Sequence, residues 1–198
     1  MKLTDISAIV LGSGASNRFG RADKLLAPLG GKPLAQHIGE CIAGVDVKNR
    51  YLVAPSESAD LHRLYENLGF QVVVNPQPNL GQGSTIAVDV KAAMSERPSG
   101  IMVCLADMPF ITAKILSDLA TVIAASNAAI CETAEGRVSP PALFSKDVAY
   151  KLESLSGDVG ARDLIKTLKS VARLETDPTI LQDIDTPEDF AKARKILS

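Results

Sequence analysis

The stretch AIVLGSGASNRFGRADKLLAPLGGK, from Ala8 to Lys32, sets the pattern for the whole chain. With Ile6 just ahead of it, Ala8, Ile9, Val10 and Leu11 form a short apolar run rich in β-branched residues, which predicts a buried strand. Gly12, Ser13, Gly14, Ala15 and Ser16 then remove bulk, so that a ligand can come close to the backbone and meet its N–H groups. Arg18, Arg21 and Lys24 follow with Asp23 as the only acid, and Lys32 adds a fourth cation. A small-residue turn feeding a cluster of cations suits a ligand with several phosphates. The same residues also read as a solvated loop after a buried strand.

Two well-known glycine loops do not fit. GxGxxG is met only by Gly12 and Gly14, since Asn17 holds its third position, and no acid follows about 20 residues on at the end of a second strand. GxxxxGK[ST] fails because Gly31-Lys32 is followed by Pro33 and Leu26 stands where the first Gly belongs. The segment is a phosphate loop of another kind, if it is one.

Outward from this loop, strand and helix signals alternate to the end of the chain. Helices are predicted over Pro33–Ala43, Glu57–Leu68, Ser84–Met94, Thr112–Ser126, Lys146–Leu155 and Asp163–Lys169. Strands are predicted over Tyr51–Ala54, Val72–Val74, Gly100–Leu105, Ala128–Glu132, Val138–Phe144 and Val171–Leu174, the Ala128 and Val138 strands flanking a Glu135-Gly136 turn. A last helix opens at Thr186-Pro187, with Thr186 as N-cap and Asp189 three residues on in a near capping box. There is no repeat and no linker. The expectation is one three-layer α/β domain over residues 1–198 with a mostly parallel central sheet.

Composition narrows the function. A net charge of −2 argues against a general nucleic-acid or membrane surface, so the cations at 18–32 are local and directed. No apolar run approaches a membrane span, and MKLTDIS has no signal-peptide pattern. Cys41, Cys104 and Cys131 have no metal or redox spacing and read as reduced thiols, which points to the cytoplasm. His37 lies on a predicted helix, where a lone His is more often a surface or partly buried residue than a ligand, and His62 has no Cys, Asp or second His at ligand spacing.

Three further places carry chemistry. Asn75 to Ser84, NPQPNLGQGS, follows a strand with amides and glycines, and amides there can read the edge of a base; a Pro/Gly turn ahead of a capped helix explains the same residues. Asp107 directly follows a buried strand, where open α/β sheets place ligands, and a carboxylate facing a polyphosphate holds Mg²⁺; capping the turn before Pro109 is its other role. Asp183 and Asp185 exceed what the cap at Thr186 needs, and paired carboxylates are costly unless a cation or solvent meets them. Cations and backbone donors would hold a triphosphate, and Asp107 and Asp185 its Mg²⁺. With no GxSxG and no His beside a Ser or Cys, the second substrate itself would attack, catalysed by positioning and charge neutralisation.

These residues resemble a known family. Leu11-Gly-Ser-Gly14 with Ser16, Arg18, Phe19, Gly20 and Asp23-Lys24 is similar to the signature loop of the molybdenum cofactor nucleotidyltransferases. Leu105-Ala-Asp-Met-Pro109 resembles their metal-binding segment, and Asp183-Ile-Asp-Thr-Pro-Glu-Asp-Phe190 their closing motif. Pro141-Ala-Leu-Phe144 and Gly157-Asp-Val-Gly-Ala-Arg162 look most like the cytidylyltransferase branch. The resemblance implies a Rossmann-like fold and Mg²⁺-dependent transfer of CMP from CTP to a phosphorylated acceptor, molybdopterin first, with release of pyrophosphate and with a molybdoenzyme as a partner. It implies Arg18, Lys24 and Asp107 as catalytic residues, and Asp107 and Asp185 as metal ligands. Nucleotide contacts would come from Leu11, Gly12, Ser13, Gly14, Arg18, Lys24, Asn75, Gly81, Gln82, Gly83 and Ser84. The family loop usually reads Leu-Ala-Ala-Gly or Leu-Ala-Gly-Gly, whereas Gly12 and Ser13 stand in the middle here. A guanylyltransferase, a sugar- or polyol-phosphate cytidylyltransferase and a non-catalytic nucleotide-binding module remain the alternatives.

Overall fold

A computed structural model describes residues 1–12, 24–75, 82–154 and 161–197. Seven strands form one sheet in the order β5-β4-β1-β6-β8-β7-β9. They are β1 (Ile6–Leu11), β4 (Asn49–Pro55), β5 (Gln71–Asn75), β6 (Gly100–Leu105), β7 (Ala128–Glu132), β8 (Val138–Ser145) and β9 (Val171–Glu175). Four of the six pairings are parallel; the two made by β8 with β6 and β7 are antiparallel. The mostly parallel sheet expected from the sequence is present, and β8 makes it mixed because β7 returns through the tight turn at Gly136 (φ +83°). Pro140 and Pro141 lie where β8 departs from regular register with β7, at positions that give no ladder donor.

The strands alternate their side chains between two apolar layers, as the period of two requires. Ala8 and Val10 of β1, with Leu52, Met102 and Cys104 of its neighbours, face α1 (Leu34–Ala43), α2 (Ala59–Asn67) and α4 (Ala113–Val122). Ile9, Val53, Ile101, Val103 and Phe144 face α3 (Gln82–Met94) and α5 (Lys146–Glu153), with α6 (Ala161–Thr167) packed at the margin. The central strands are buried on both faces, which is why β6 reads as an unbroken apolar run.

Several helix boundaries differ from the sequence prediction, α2 starting at Ala59 and α5 ending at Glu153, each two residues inside the predicted bound. α3 begins at Gln82, so Ser84 lies inside its first turn instead of capping it. α4 stops at Val122 because Ala124 takes a positive φ of 34°, which ends the helical path before Ser126. α6 runs from Ala161 to Thr167, a register two residues earlier than expected.

A small hairpin escaped prediction. β2 (Pro28–Leu29) and β3 (Lys32–Pro33) pair across Gly30-Gly31, both glycines at positive φ as a two-residue turn of this hand demands. Lys32, read earlier as a phosphate cation, instead pairs with Glu40 of α1. On this hairpin rests α7 (Pro187–Leu197): Leu29, Leu34, Ile184, Phe190 and Ala193 form a third apolar cluster. The far end of the chain is thereby brought to the hairpin that follows residue 24.

Candidate functional site

β1 and β6 end level with one another, Leu11 lying opposite Leu105, while β4 runs on to Pro55 past Val53, its partner to Leu11. From β1 the chain proceeds to β4 and β5 on one side and returns to β6 on the other, so the crevice beyond β1 and β6 is a topological switch point. Leu11 accepts a hydrogen bond from the Ala106 N–H at 3.0 Å, and the Gly12 N–H donates to the Val53 carbonyl at 2.7 Å. A Cβ on Gly12 would lie 3.1 Å from a Leu61 methyl and 3.3 Å from that carbonyl. A side chain here would press on the strand end, so packing favours glycine.

Lys24 opens a short 3₁₀ turn, Lys24–Leu26, anchored by buried Leu25. Its ammonium donates to Asp107 Oδ2 at 2.8 Å and to Asp185 Oδ1 at 3.0 Å. The Lys24 side chain is only 5% exposed, that of Asp107 17% and that of Asp185 50%. Asp107 sits on the turn leaving β6. Asp185 is placed by its neighbours: the Ile184 N–H donates to the Asp107 carbonyl at 3.0 Å, and Ile184 is fully buried. On its other side Thr186 and Asp189 form the capping box of α7, the Thr186 N–H donating to Asp189 Oδ2 at 3.0 Å and the Asp189 N–H to Thr186 Oγ1 at 3.1 Å. One residue is thus held between a buried anchor and a helix cap, with its carboxylate facing the crevice cation.

The electrostatics follow from burial. Desolvation alone would lower the Lys24 pKa, but attraction and hydrogen bonds from Asp107 and Asp185 outweigh it and hold the ammonium above its ordinary value. Asp107 also lies above the usual carboxylate range: burial is the largest cause, Lys24 counteracts it, and Asp185 and Asp183 add like charge. Among the described residues the site carries more negative charge than one ammonium neutralises. Moreover, Asp107 Oδ1 is buried with no hydrogen-bond partner among the described residues. An orphaned carboxylate oxygen beside a second carboxylate is suited to a hard cation, and Mg²⁺ is commonly held by one or two carboxylates with phosphates and water completing the shell. Among the described residues no cluster of three or more His, Cys, Asp or Glu offers a closed all-protein metal site.

The structure therefore brings Lys24, Asp107 and Asp185 together, with Leu11 and Gly12 at the end of the adjoining strand. Asn75 is the last residue of β5, at the sheet edge, and Gln82, Gly83 and Ser84 form the start of α3; these four are placed by backbone alone. Ser13, Gly14, Arg18 and Gly81 lie outside the described residues. Reading from sequence alone missed the direct bridge from Lys24 to both carboxylates, because the partners are 83 and 161 residues away.

No helix among the described residues is long and apolar enough to cross a membrane. Residues 8–173 match the MobA-like NTP transferase domain. The chain is 30% identical over 208 residues to the purine catabolism protein PucB of Bacillus subtilis (strain 168), covering 100% of both chains. It is 26% identical over 196 residues to the molybdenum cofactor guanylyltransferase of Cereibacter sphaeroides, covering 96% of this chain and 95% of that one. Among solved structures, Rv0371c from Mycobacterium tuberculosis H37Rv superposes with a TM-score of 0.82 at 24% identity, over 96% of this chain and 98% of that one. The manganese complex of the same protein superposes with a TM-score of 0.77 at 23% identity, over 96% and 98%.

Proposed function

The chain belongs to the MobA-like NTP transferase domain family, and from that premise we propose that it transfers a nucleotidyl group from an NTP to a phosphorylated acceptor at the Lys24, Asp107 and Asp185 crevice. The observation that carries the proposal is one buried ammonium set between two carboxylates at the switch point of the sheet. In the reaction a phosphate oxygen of the acceptor attacks the α-phosphorus, that bond forms as the α–β bridging bond breaks, and pyrophosphate leaves with the electron pair.

Asp107 and Asp185 would hold Mg²⁺, and the orphaned Asp107 Oδ1 fits that role; the ion would neutralise phosphate charge and fix the triphosphate. Lys24 keeps its proton, by virtue of its raised pKa, and presents a fixed positive charge to the phosphates. Arg18 supplies a second cation. By the family resemblance Leu11 to Gly14 would contact the base and ribose, and Asn75 and residues 81–84 the nucleoside. No side chain need act as a nucleophile, since positioning and charge stabilisation carry reactions of this type.

For the substrates we infer CTP and molybdopterin, on the likeness of Pro141–Phe144 and Gly157–Arg162 to the cytidylyltransferase branch. The 26% identity to a guanylyltransferase supports GTP as the second reading. Pyrophosphate release with each of the four NTPs, Mg²⁺ and a panel of molybdopterin, sugar phosphates and polyol phosphates tests both. The proposal predicts release that requires NTP and acceptor together and is fastest with CTP. Faster release with GTP would assign the guanylyl reaction; NTP binding with no release under any acceptor would make the chain a binding module.

A further inference from the structure

Asp185 owes its place to the small apolar cluster that lies apart from the two layers beside the sheet. Leu29, Leu34, Ile184, Phe190 and Ala193 are its buried members, and Ala27 and Phe110 pack against them. These residues come from the same three segments that carry the charged crevice. Ala27 and Leu29 follow Lys24 closely in the chain, Phe110 follows Asp107, and Ile184 and Phe190 stand on either side of Asp185. Among the described residues, none of α7 belongs to either main layer. The apolar anchorage of that helix is therefore made only with the segments that present the other two members of the site.

Phe190 is the bulkiest buried member of the cluster, at 6% exposure. Its backbone N–H donates to the Thr186 carbonyl at 3.0 Å, in the first turn of α7 and next to Asp185. The Arg194 guanidinium covers its ring at 5.1 Å from the centroid. The Asp185 side chain itself is half exposed, so the backbone on either side of it must set where its carboxylate stands. Ile184 fixes one side, through burial and its bond to the Asp107 carbonyl, and the docked first turn of α7 fixes the other.

We propose that Phe190 is a positioning residue for nucleotidyl transfer, acting through Asp185, an inference that rests on the assignment of that reaction to the Lys24, Asp107 and Asp185 crevice. The ring clamps the first turn of α7 to the β2–β3 hairpin and so sets the separation of the Asp185 carboxylate from Lys24 and Asp107. Truncating it leaves every charge of the site in place and loosens the segment that carries one of them. Groups that orient a metal ligand from behind typically contribute about 10–100-fold in affinity or activity.

The test compares Phe190→Ala, Phe190→Leu and Asp185→Asn with the parent, each shown by circular dichroism to be folded at the assay temperature. Pyrophosphate release is followed with the NTP and acceptor that the parent uses best. Mn²⁺ binding is followed by loss of the free ion's electron paramagnetic resonance signal, in the presence of the α,β-methylene analogue of that NTP. Phe190→Ala should lower both kcat and Mn²⁺ affinity at least about tenfold, with a smaller change in KM for the NTP. Phe190→Leu, which keeps an apolar anchor, should retain most of both. Added to Asp185→Asn, Phe190→Ala should cause no further loss, because the two act through one carboxylate. Leu119→Ala opens a cavity in the main layer under α4, and should lower the melting temperature while leaving kcat and Mn²⁺ affinity unchanged. Parent-like kcat and Mn²⁺ affinity in Phe190→Ala would overturn the role, as would additive losses in the double variant or an equal loss in Leu119→Ala. If Asp185→Asn itself matches the parent, the assignment of the crevice falls and this role falls with it. Loss in Asp185→Asn with none in Phe190→Ala removes the positioning role alone.

Discussion

Replacing Lys24 by Met removes the one ammonium shared by Asp107 and Asp185 while keeping most of the side-chain volume. In the parent the contacts are 2.8 and 3.0 Å, and Lys24 and Asp107 are both largely buried. Removing one member of a buried pair costs about 3–5 kcal/mol, because the other is left as an uncompensated charge. Asp185 is 50% exposed and can turn to water, so the expected loss at pH 8 falls to about 2–4 kcal/mol. The loss should shrink on acidification. Asp107 already has a raised pKa, chiefly from burial, and without Lys24 it rises further. A carboxyl whose folded pKa exceeds its unfolded value contributes stability in full below the unfolded pKa and loses it as pH rises through the folded one. The variant is therefore closest to the parent in acid and furthest from it above the Asp107 pKa. Lys24 has the corresponding dependence in the parent: its contribution is full below 10.5 and fades as pH rises through its higher folded value. Urea unfolding at pH 5 and pH 8, with and without Mg²⁺, measures all of this. Mg²⁺ should stabilise the variant more than the parent, since it replaces a missing cation. Equal unfolding midpoints for parent and variant at pH 8 would refute the assignment of Lys24 as the counter-charge of this site.

Thr186→Ala removes the hydroxyl of the α7 capping box and should cost about 1 kcal/mol in urea unfolding. Its effect on turnover should be larger, because Asp185 is positioned by the residue beside it; an unaltered rate would detach the cap from the site. Gly100→Ala would place a Cβ 2.7 Å from the Phe144 carbonyl of the neighbouring strand and 2.9 Å from Met1 Sδ. Backbone must move to admit it, at roughly 1–3 kcal/mol by the cost of overpacking, and thermal melting should show the loss. For the base, CTP should exceed GTP by at least about tenfold in kcat/KM, a ratio that needs only ~1.4 kcal/mol. Ser13→Gly should relax that preference, and an unchanged ratio would clear Ser13 of any part in it.

Much of this architecture was legible in the chain because the core strands are long enough to show their character. β6 is apolar throughout because it is buried on both faces, and Asp107 stands out as the first charge after it. The Thr186 and Asp189 cap was equally plain, since both partners lie within one helical turn. The hairpin at Pro28–Pro33 was not, because two-residue strands carry no periodicity, and Gly31-Lys32 entered only as a match to the phosphate-loop pattern that fails at Pro33. Ser84 misled for a related reason: a good capping residue also fits inside a first turn when the helix starts earlier. The bridge from Lys24 to Asp107 and Asp185 joins three distant segments, and only the packing of Ile184 and Phe190 against the hairpin brings the last of them home.

The most direct test of the proposed metal–triphosphate site is a calorimetric titration of CTP into the parent and into Asp107→Asn, each with Mg²⁺ and with chelator. The amide keeps the volume and a hydrogen-bond acceptor for Lys24, whose charge is still met by Asp185, so the variant should remain folded. It removes the charge that a hard cation requires. The account predicts Mg²⁺-dependent binding to the parent, a loss of that dependence in Asp107→Asn, and no pyrophosphate release by the variant with any acceptor the parent uses. Identical Mg²⁺-dependent binding by the two proteins, with transfer intact in the variant, would contradict it.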